Sequence, residues 1–164
     1  MALNSPADLF LYELSATYDA ERRGTRLLGD AIAQVHDGDA AQELRTQEQE
    51  GQLKMRNLDA CFQVLGTRPQ EIPCAAVEGF RTDFQAFTRF EPSPEVLEMY
   101  TIGAATKLAH FGLASYRGLV DKAMLMGQTQ CAQILQSNLV MKKESTGRLE
   151  RTGHEMSRRV LASA

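Results

Sequence analysis

The sequence predicts an all-α fold in a single domain over residues 1–164. Four long helices form an antiparallel bundle, with an additional short helix between the two long helix pairs. Three observations carry this. Apolar residues recur at spacings of three and four through most of the chain, which is the signature of a helix face turned to a core. Proline and glycine gather between those periodic stretches, where chain reversals belong. No stretch shows the alternation of a strand to compete with this pattern. Long helices joined by short connections favour antiparallel neighbours.

The elements follow in order. Ser5 and Pro6 make a helix start, with Ser5 as N-cap, Pro6 in the first helical position and Asp8 in the first turn. From there Phe10, Leu14, Thr17, Glu21, Gly24, Leu28, Ile32 and Val35 mark one face of a helix expected over 6–36. The second, over 40–65, carries Leu44, Glu48, Gly51, Met55, Leu58, Phe62 and Leu65, and Gly66, Pro69 and Pro73 close it. The short third, over 74–90, carries Val77, Phe80, Phe84 and Phe87 as an aromatic stripe. Ser93-Pro94-Glu95 repeats the cap-plus-proline start and opens a fourth helix over 94–126, with Ile102, Ala105, Ala109, Gly112, Tyr116 and Leu119 on one face. The fifth, over 129–158, carries Leu135, Asn138, Lys142, Ser145, Leu149 and Met156, with a bend or fraying expected at Gly147 and Gly153.

Composition narrows the function classes. Apolar residues are 43% and charged residues 24%, an ordinary globular balance. A net charge of −3, with no run of Lys or Arg, argues against a nucleic-acid partner. No uncharged apolar stretch is long enough to span a membrane, and the opening MALNSPADLF lacks the pattern of a signal peptide. The cysteines Cys61, Cys74 and Cys131 are odd in number and widely spaced, against a disulfide framework or a zinc site. A reducing, cytoplasmic setting is the expectation.

The chemistry-bearing residues are polar groups in core positions. Glu21 is central in the first stripe. Glu50 sits at the edge of the second with Lys54 one turn on, and Asn138 and Lys142 fall in the fifth. A buried carboxylate needs a cation, a proton or a wet cavity, while a lone stripe Glu on a solvent face needs none of these. Two inward carboxylates on adjacent long helices point toward a metal site. Such bundles set one Glu from each of two helices beside a Glu-x-x-His from each of the others. Here none of His36, His110 and His154 follows a Glu by three, and Glu150 with His154 has the spacing of ordinary helix-surface support. No nucleophile elbow, phosphate loop or dinucleotide fingerprint occurs. Cys61 and Cys131 read as core residues, and Cys74, at a helix start, as a packing residue first and the most reactive of the three thiols. The phenylalanine stripe reads as core or as a dimer surface.

The stretch from Leu9-Phe10 to Tyr18-Asp19-Ala20-Glu21-Arg22 resembles the opening of the YciE/YciF family of bacterial ferritin-like proteins. Cys74-Ala75-Ala76-Val77-Glu78-Gly79-Phe80 and Lys107-Leu108-Ala109-His110-Phe111, followed by Ala114-Ser115-Tyr116, are similar to two later segments of that family. The likeness runs in order from residue 8 to 149. It implies a ferritin-like antiparallel four-helix bundle, dimerisation, a di-iron or di-manganese site and an association with bacterial stress responses.

Glu21 and Glu50 fall where the family has inward glutamates, and so mark a remnant metal site. The family's second-helix histidine is Gln47 here, and its fourth-helix glutamates are Ala109 and Gly112. Its acidic run in the fifth helix is replaced around Val140-Met141-Lys142. Two glutamates do not complete a di-metal shell. Lys142 is the expected charge substitute, neutralising Glu21 or Glu50. The expectation is therefore a non-enzymatic, dimeric binding protein with a degenerate di-metal site, no cofactor and a possible protein partner. The alternative is a di-iron or di-manganese oxidase, peroxidase or catalase-like protein with a reduced ligand set. A third reading places a small apolar ligand in the space left by Ala109 and Gly112.

Overall fold

The computed structural model describes residues 3–164. Its helices are α1 (Pro6–Ile32), α2 (Gly38–Val64), α3 (Ala75–Thr88), α4 (Pro94–Leu125) and α5 (Thr129–Ser163), with no strand among the described residues. Local chemistry sets the ends. The Ser5 hydroxyl accepts from the Asp8 N–H while the Asp8 carboxylate accepts from the Ser5 N–H, which closes a capping box ahead of Pro6. Ser93 caps α4 by accepting from the Val96 N–H. The left-handed turns after α2 and α4 fall on Gly66, at φ 66°, and Gly127, at φ 71°. Glycine takes that conformation without a Cβ penalty.

The helices form a ring in which α1 packs on α2, α2 on α5, α5 on α4 and α4 on α1. The short α3 lies outside the ring against α4 and α1. This is an all-α, ferritin-like bundle. None of the helices described is long and apolar enough to cross a membrane.

Two boundaries differ from the sequence expectation. α1 stops at Ile32, because Asp37 turns its carboxylate onto the N–H groups of Asp39 and Ala40 and starts α2. The intervening His36 N–H donates to the Glu98 carboxylate. α5 runs unbroken through Gly147 and Gly153 to Ser163. Packing overrides glycine's weak helix propensity there. A Cβ at Gly153 would lie 3.1 Å from Ile102 Cγ2, so the glycine marks close approach to α4, and buried Leu149 and Met156 flank it.

The aromatic stripe of α3, read as core or as a dimer surface, packs on α4. Phe87 stacks on Tyr100 at 3.7 Å between ring centroids, and Phe84 and Phe80 meet Tyr100 and Phe111 at 5.9 and 6.2 Å. These rings fasten α3 to α4. Only Phe90, just beyond the helix, stands free, at 83% exposure.

The core is divided along the bundle axis. One apolar cluster includes Phe10, Leu14, Leu58, Phe62, Leu119 and Leu135. The other includes Val35, Leu44, Ile102, Ala105, Leu149 and Met156. Between them lies a belt of buried polar side chains.

Candidate functional site

Each long helix supplies the belt from its core-facing stripe: Glu21 from α1, Gln47 and Lys54 from α2, Tyr116 from α4, and Asn138, Lys142 and Ser145 from α5. Glu21 is at its centre, 7% exposed. Lys142 Nζ lies 3.2 Å from Glu21 Oε1 and Lys54 Nζ lies 3.6 Å from Glu21 Oε2. The Tyr116 hydroxyl, close by, also favours the ionised carboxylate. Burial alone pushes the Glu21 pKa up, but the Lys142 and Lys54 ammoniums outweigh it and hold the carboxylate below its usual range. Burial pushes Lys54 down, Glu21 draws it back up and Lys142 lowers it again, leaving it at about 8. Burial, then the Glu21 charge, holds the Tyr116 phenol protonated, well above 10.

The rest of the belt is tied to this centre. The Asn138 amide donates to the Lys54 carbonyl at 3.1 Å and to the Tyr116 oxygen at 3.2 Å, and accepts from Asn57 at 2.8 Å. Gln47, standing where the resemblance led to a histidine, donates to the Ser145 carbonyl at 3.0 Å and to Glu43 at 2.8 Å. A Cβ at Gly112 would meet Lys142 Cε at 2.8 Å, so the space left there is filled by the lysine stem. The remaining cavity, next to Glu21 and Thr25, is about 30 Å³. That is room for about one water, not for an apolar ligand.

The structure brings Glu21 and Lys142 together but gives Glu50 another partner. Arg148 of α5 donates to Glu50 Oε1 at 2.7 Å and to both Glu43 oxygens at 3.2 Å. Glu50 therefore borders the belt, with Oε2 buried and without a partner among the described residues. Lys54 and Arg148 are the two cations that sequence reasoning did not pair. Lys54 lies seven residues from Gln47 and four from Leu58, which is a core spacing.

The other candidates separate. His110 Nε2 meets Glu150 Oε1 at 2.8 Å on the surface, and His154 is exposed. All three cysteines are free and buried, Cys74 included, so the structure does not single it out as an accessible thiol. The Cys61 thiol faces the Cys131 carbonyl at 3.7 Å.

No group of three or more His, Cys, Asp or Glu that could hold a metal occurs among the described residues. The one carboxylate at the centre is already neutralised by two ammoniums. The donor set does not fit the metal pair that the bundle type implies.

Comparison with known proteins agrees with the architecture. The family described as a domain of unknown function (DUF892) matches residues 5–162. Protein YciF of Escherichia coli is 25% identical over 144 residues, 87% of each chain. The crystal structure of the E. coli stress protein YciF has a TM-score of 0.89 at 23% identity, covering 94% of this chain and 98% of that one. YcfI from Rhodopseudomonas palustris has a TM-score of 0.87 at 26% identity, covering 90% and 94%. On the family match over nearly its whole length, and on this shared bundle, the chain belongs to the DUF892 family, that of the YciE/YciF proteins.

Proposed function

We propose that this chain is a non-enzymatic binding protein, a homodimer of the bacterial cytoplasm whose di-metal centre has been replaced by an internal ion cluster. The observation that carries the reading is Glu21 held between Lys142 at 3.2 Å and Lys54 at 3.6 Å. A metal ion at that carboxylate would meet the two ammoniums first. Like unit charges about 4 Å apart repel by about 4 kcal/mol at an effective dielectric of about 20, and a dication doubles that for each lysine. The lysines therefore do electrostatically what cations would do for a carboxylate shell. The stress-related role for which the E. coli relative is named extends to this chain as part of the proposal. Exposed Phe90, Leu125 and Leu161 offer apolar surface for a second copy or a partner.

The test is elemental analysis of protein purified from cells grown with iron and manganese, paired with melting curves. The expected result is far less than one metal per chain and a melting temperature that added iron or manganese leaves unchanged, since binding to the native state alone would raise it. Near-stoichiometric iron or manganese, with destabilisation on its removal, would replace this reading with that of a metalloprotein. Light scattering at micromolar concentration should give the mass of a dimer, and a monomer would remove the oligomeric part.

A further inference from the structure

Away from the belt, α1 and α3 build a second feature of opposite character at each end. An apolar groove of about 210 Å³ runs between α1, α3 and α4, lined by Leu27, Leu28, Ala31, Phe80, Phe84 and Leu108 among others. It shares Leu27 and Arg81 with an adjoining pocket of about 150 Å³ walled by Arg22, Arg23, Arg26, Arg81 and Glu78. With Leu27 and Arg81 as common walls, the groove and the pocket lie side by side, within reach of one elongated molecule.

Three of the four arginines are held in place. Asp19 is fixed by the Cys74 N–H at 2.8 Å, and binds Arg22 at 2.5 Å and Arg23 at 2.7 Å. Glu78 holds Arg23 at 3.1 Å across the gap between α1 and α3, and Arg81 at 3.7 Å one turn along α3. Arg26 has no ion-pair partner among the described residues, so its guanidinium is available to a ligand. Four guanidiniums against the carboxylates of Asp19 and Glu78, and of Asp30 in the groove wall, leave a small local positive excess on a chain whose net charge is −3. Guanidinium forks suit planar or tetrahedral oxyanions.

We propose that this composite site binds a single-chain amphiphile with an oxyanion head, the head against Arg26 and Arg81 and the hydrocarbon chain in the groove between α1, α3 and α4. The charge at the mouth selects the sign of the head. The apolar walls select a chain over a small free anion. Carboxylate and phosphate heads share the required chemistry, and the choice between them is left to the assay.

The experiment is titration calorimetry on the full chain with decanoate, decyl phosphate, decanol, decyltrimethylammonium and acetate, each below its micelle concentration. Saturable binding of decanoate or decyl phosphate is expected, with the tighter of the two identifying the head. Decanol should bind at least about tenfold more weakly, since it lacks the charge-assisted contacts. Decyltrimethylammonium and acetate should give no saturable heat. Arg26→Glu and Arg81→Glu should each weaken the anionic amphiphile by about tenfold or more. Ala104→Phe, which fills the groove, should remove binding without changing the arginines. Equal binding of the cationic and anionic amphiphiles, acetate binding as tightly as decanoate, or no saturable amphiphile binding would each overturn the proposal. The wild-type ligand series decides this even if a variant fails to fold.

Discussion

The two ends of the bundle and its middle are built from the same four helices by different physics. At the ends, Leu14, Leu58, Leu44 and Leu149 are all fully buried and stabilise by removing apolar surface from water, a term indifferent to pH and to the identity of any one neighbour. In the middle, Glu21, Lys54 and Lys142 are nearly as buried, and each would be costly alone. Their stability is mutual, and it is unevenly shared: one carboxylate faces two ammoniums. Deletions at the ends should therefore act as volume losses, whereas deletions in the belt should depend on which charge goes.

The largest effect should come from removing the single anion. Glu21→Gln leaves Lys142 buried without a counter-charge and Lys54 with only the charge of Glu50 on its own helix, at a cost of about 3–5 kcal/mol. Chemical denaturation near neutral pH measures it, and adding Lys54→Met should recover a substantial part. Because the Glu21 pKa lies below its usual 4.5, the carboxylate contributes stability above that pH and loses it as pH falls through the lower folded value. Glu21→Gln should flatten that part of the acid limb. A loss below about 1 kcal/mol would mean that the belt is wet enough to screen the lysines.

Leu58→Ala provides the contrasting case from the apolar end. The residue is fully buried, so truncation should cost about 2–5 kcal/mol. The loss should be the same in weakly acidic and weakly alkaline buffer, unlike that of the belt variants. A strong pH dependence would erase the distinction between the two regions.

Lys142→Met should cost less than either, about 1.5–2 kcal/mol, at the low end of the range for one hydrogen bond to a charged group. An isolated buried pair would lose more, but here Glu21 retains Lys54 at 3.6 Å, and the methionine stem still covers Gly112. Urea midpoints compare the two variants directly. A loss equal to that of Glu21→Gln would show that Lys54 does not compensate the carboxylate.

What the sequence disclosed was mostly local. The Ser5-Pro6 and Ser93-Pro94 caps and the Gly66 and Gly127 stops act within a few residues, and the helices begin and end there. The α5 stripe was legible because Leu135, Asn138, Lys142, Ser145, Leu149 and Met156 keep one register, and all are buried. In α2 the apolar anchors Leu44, Leu58 and Phe62 fit two neighbouring stripes. The sequence reading followed Glu48 and Met55, whereas the structure buries Gln47 and Lys54. Adjacent residues lie about 100° apart on a helix, and polar residues give periodicity nothing to choose by. Arg148 reaches Glu43 and Glu50 across separations of 105 and 98 residues, a pairing that exists only once α2 and α5 are side by side. The arginine pocket has the same origin, since α1 and α3 supply its walls separately.

The smallest and most diagnostic effect should come from Lys54→Met. Lys54 is the surplus cation: 2% exposed, farther from Glu21 than Lys142 is, and facing Glu21 from α1, Lys142 from α5 and Glu50 on its own helix. Replacing one buried charge of an overcrowded cluster by an apolar stem of similar length should change stability near neutral pH by less than about 1 kcal/mol, in either direction. The pH dependence separates this from a silent surface change. Burial brings the native amine to about 8, while an unfolded lysine titrates near about 10.4. Between those values the unfolded chain holds a proton that the native state has released, so unfolding takes up protons and native stability rises with pH. Below that window both states are protonated, and the full cost of burying the charge is present. The Tyr116 phenol, raised well above 10, opposes the trend only at higher pH. Urea midpoints from about pH 7 to about pH 10 should therefore climb more for the wild type than for Lys54→Met, because the variant has lost the group that titrates. Parallel curves would mean that Lys54 is not held in the depressed state its position between Glu21 and Lys142 requires, and the uneven sharing of charge in the belt would lose its support.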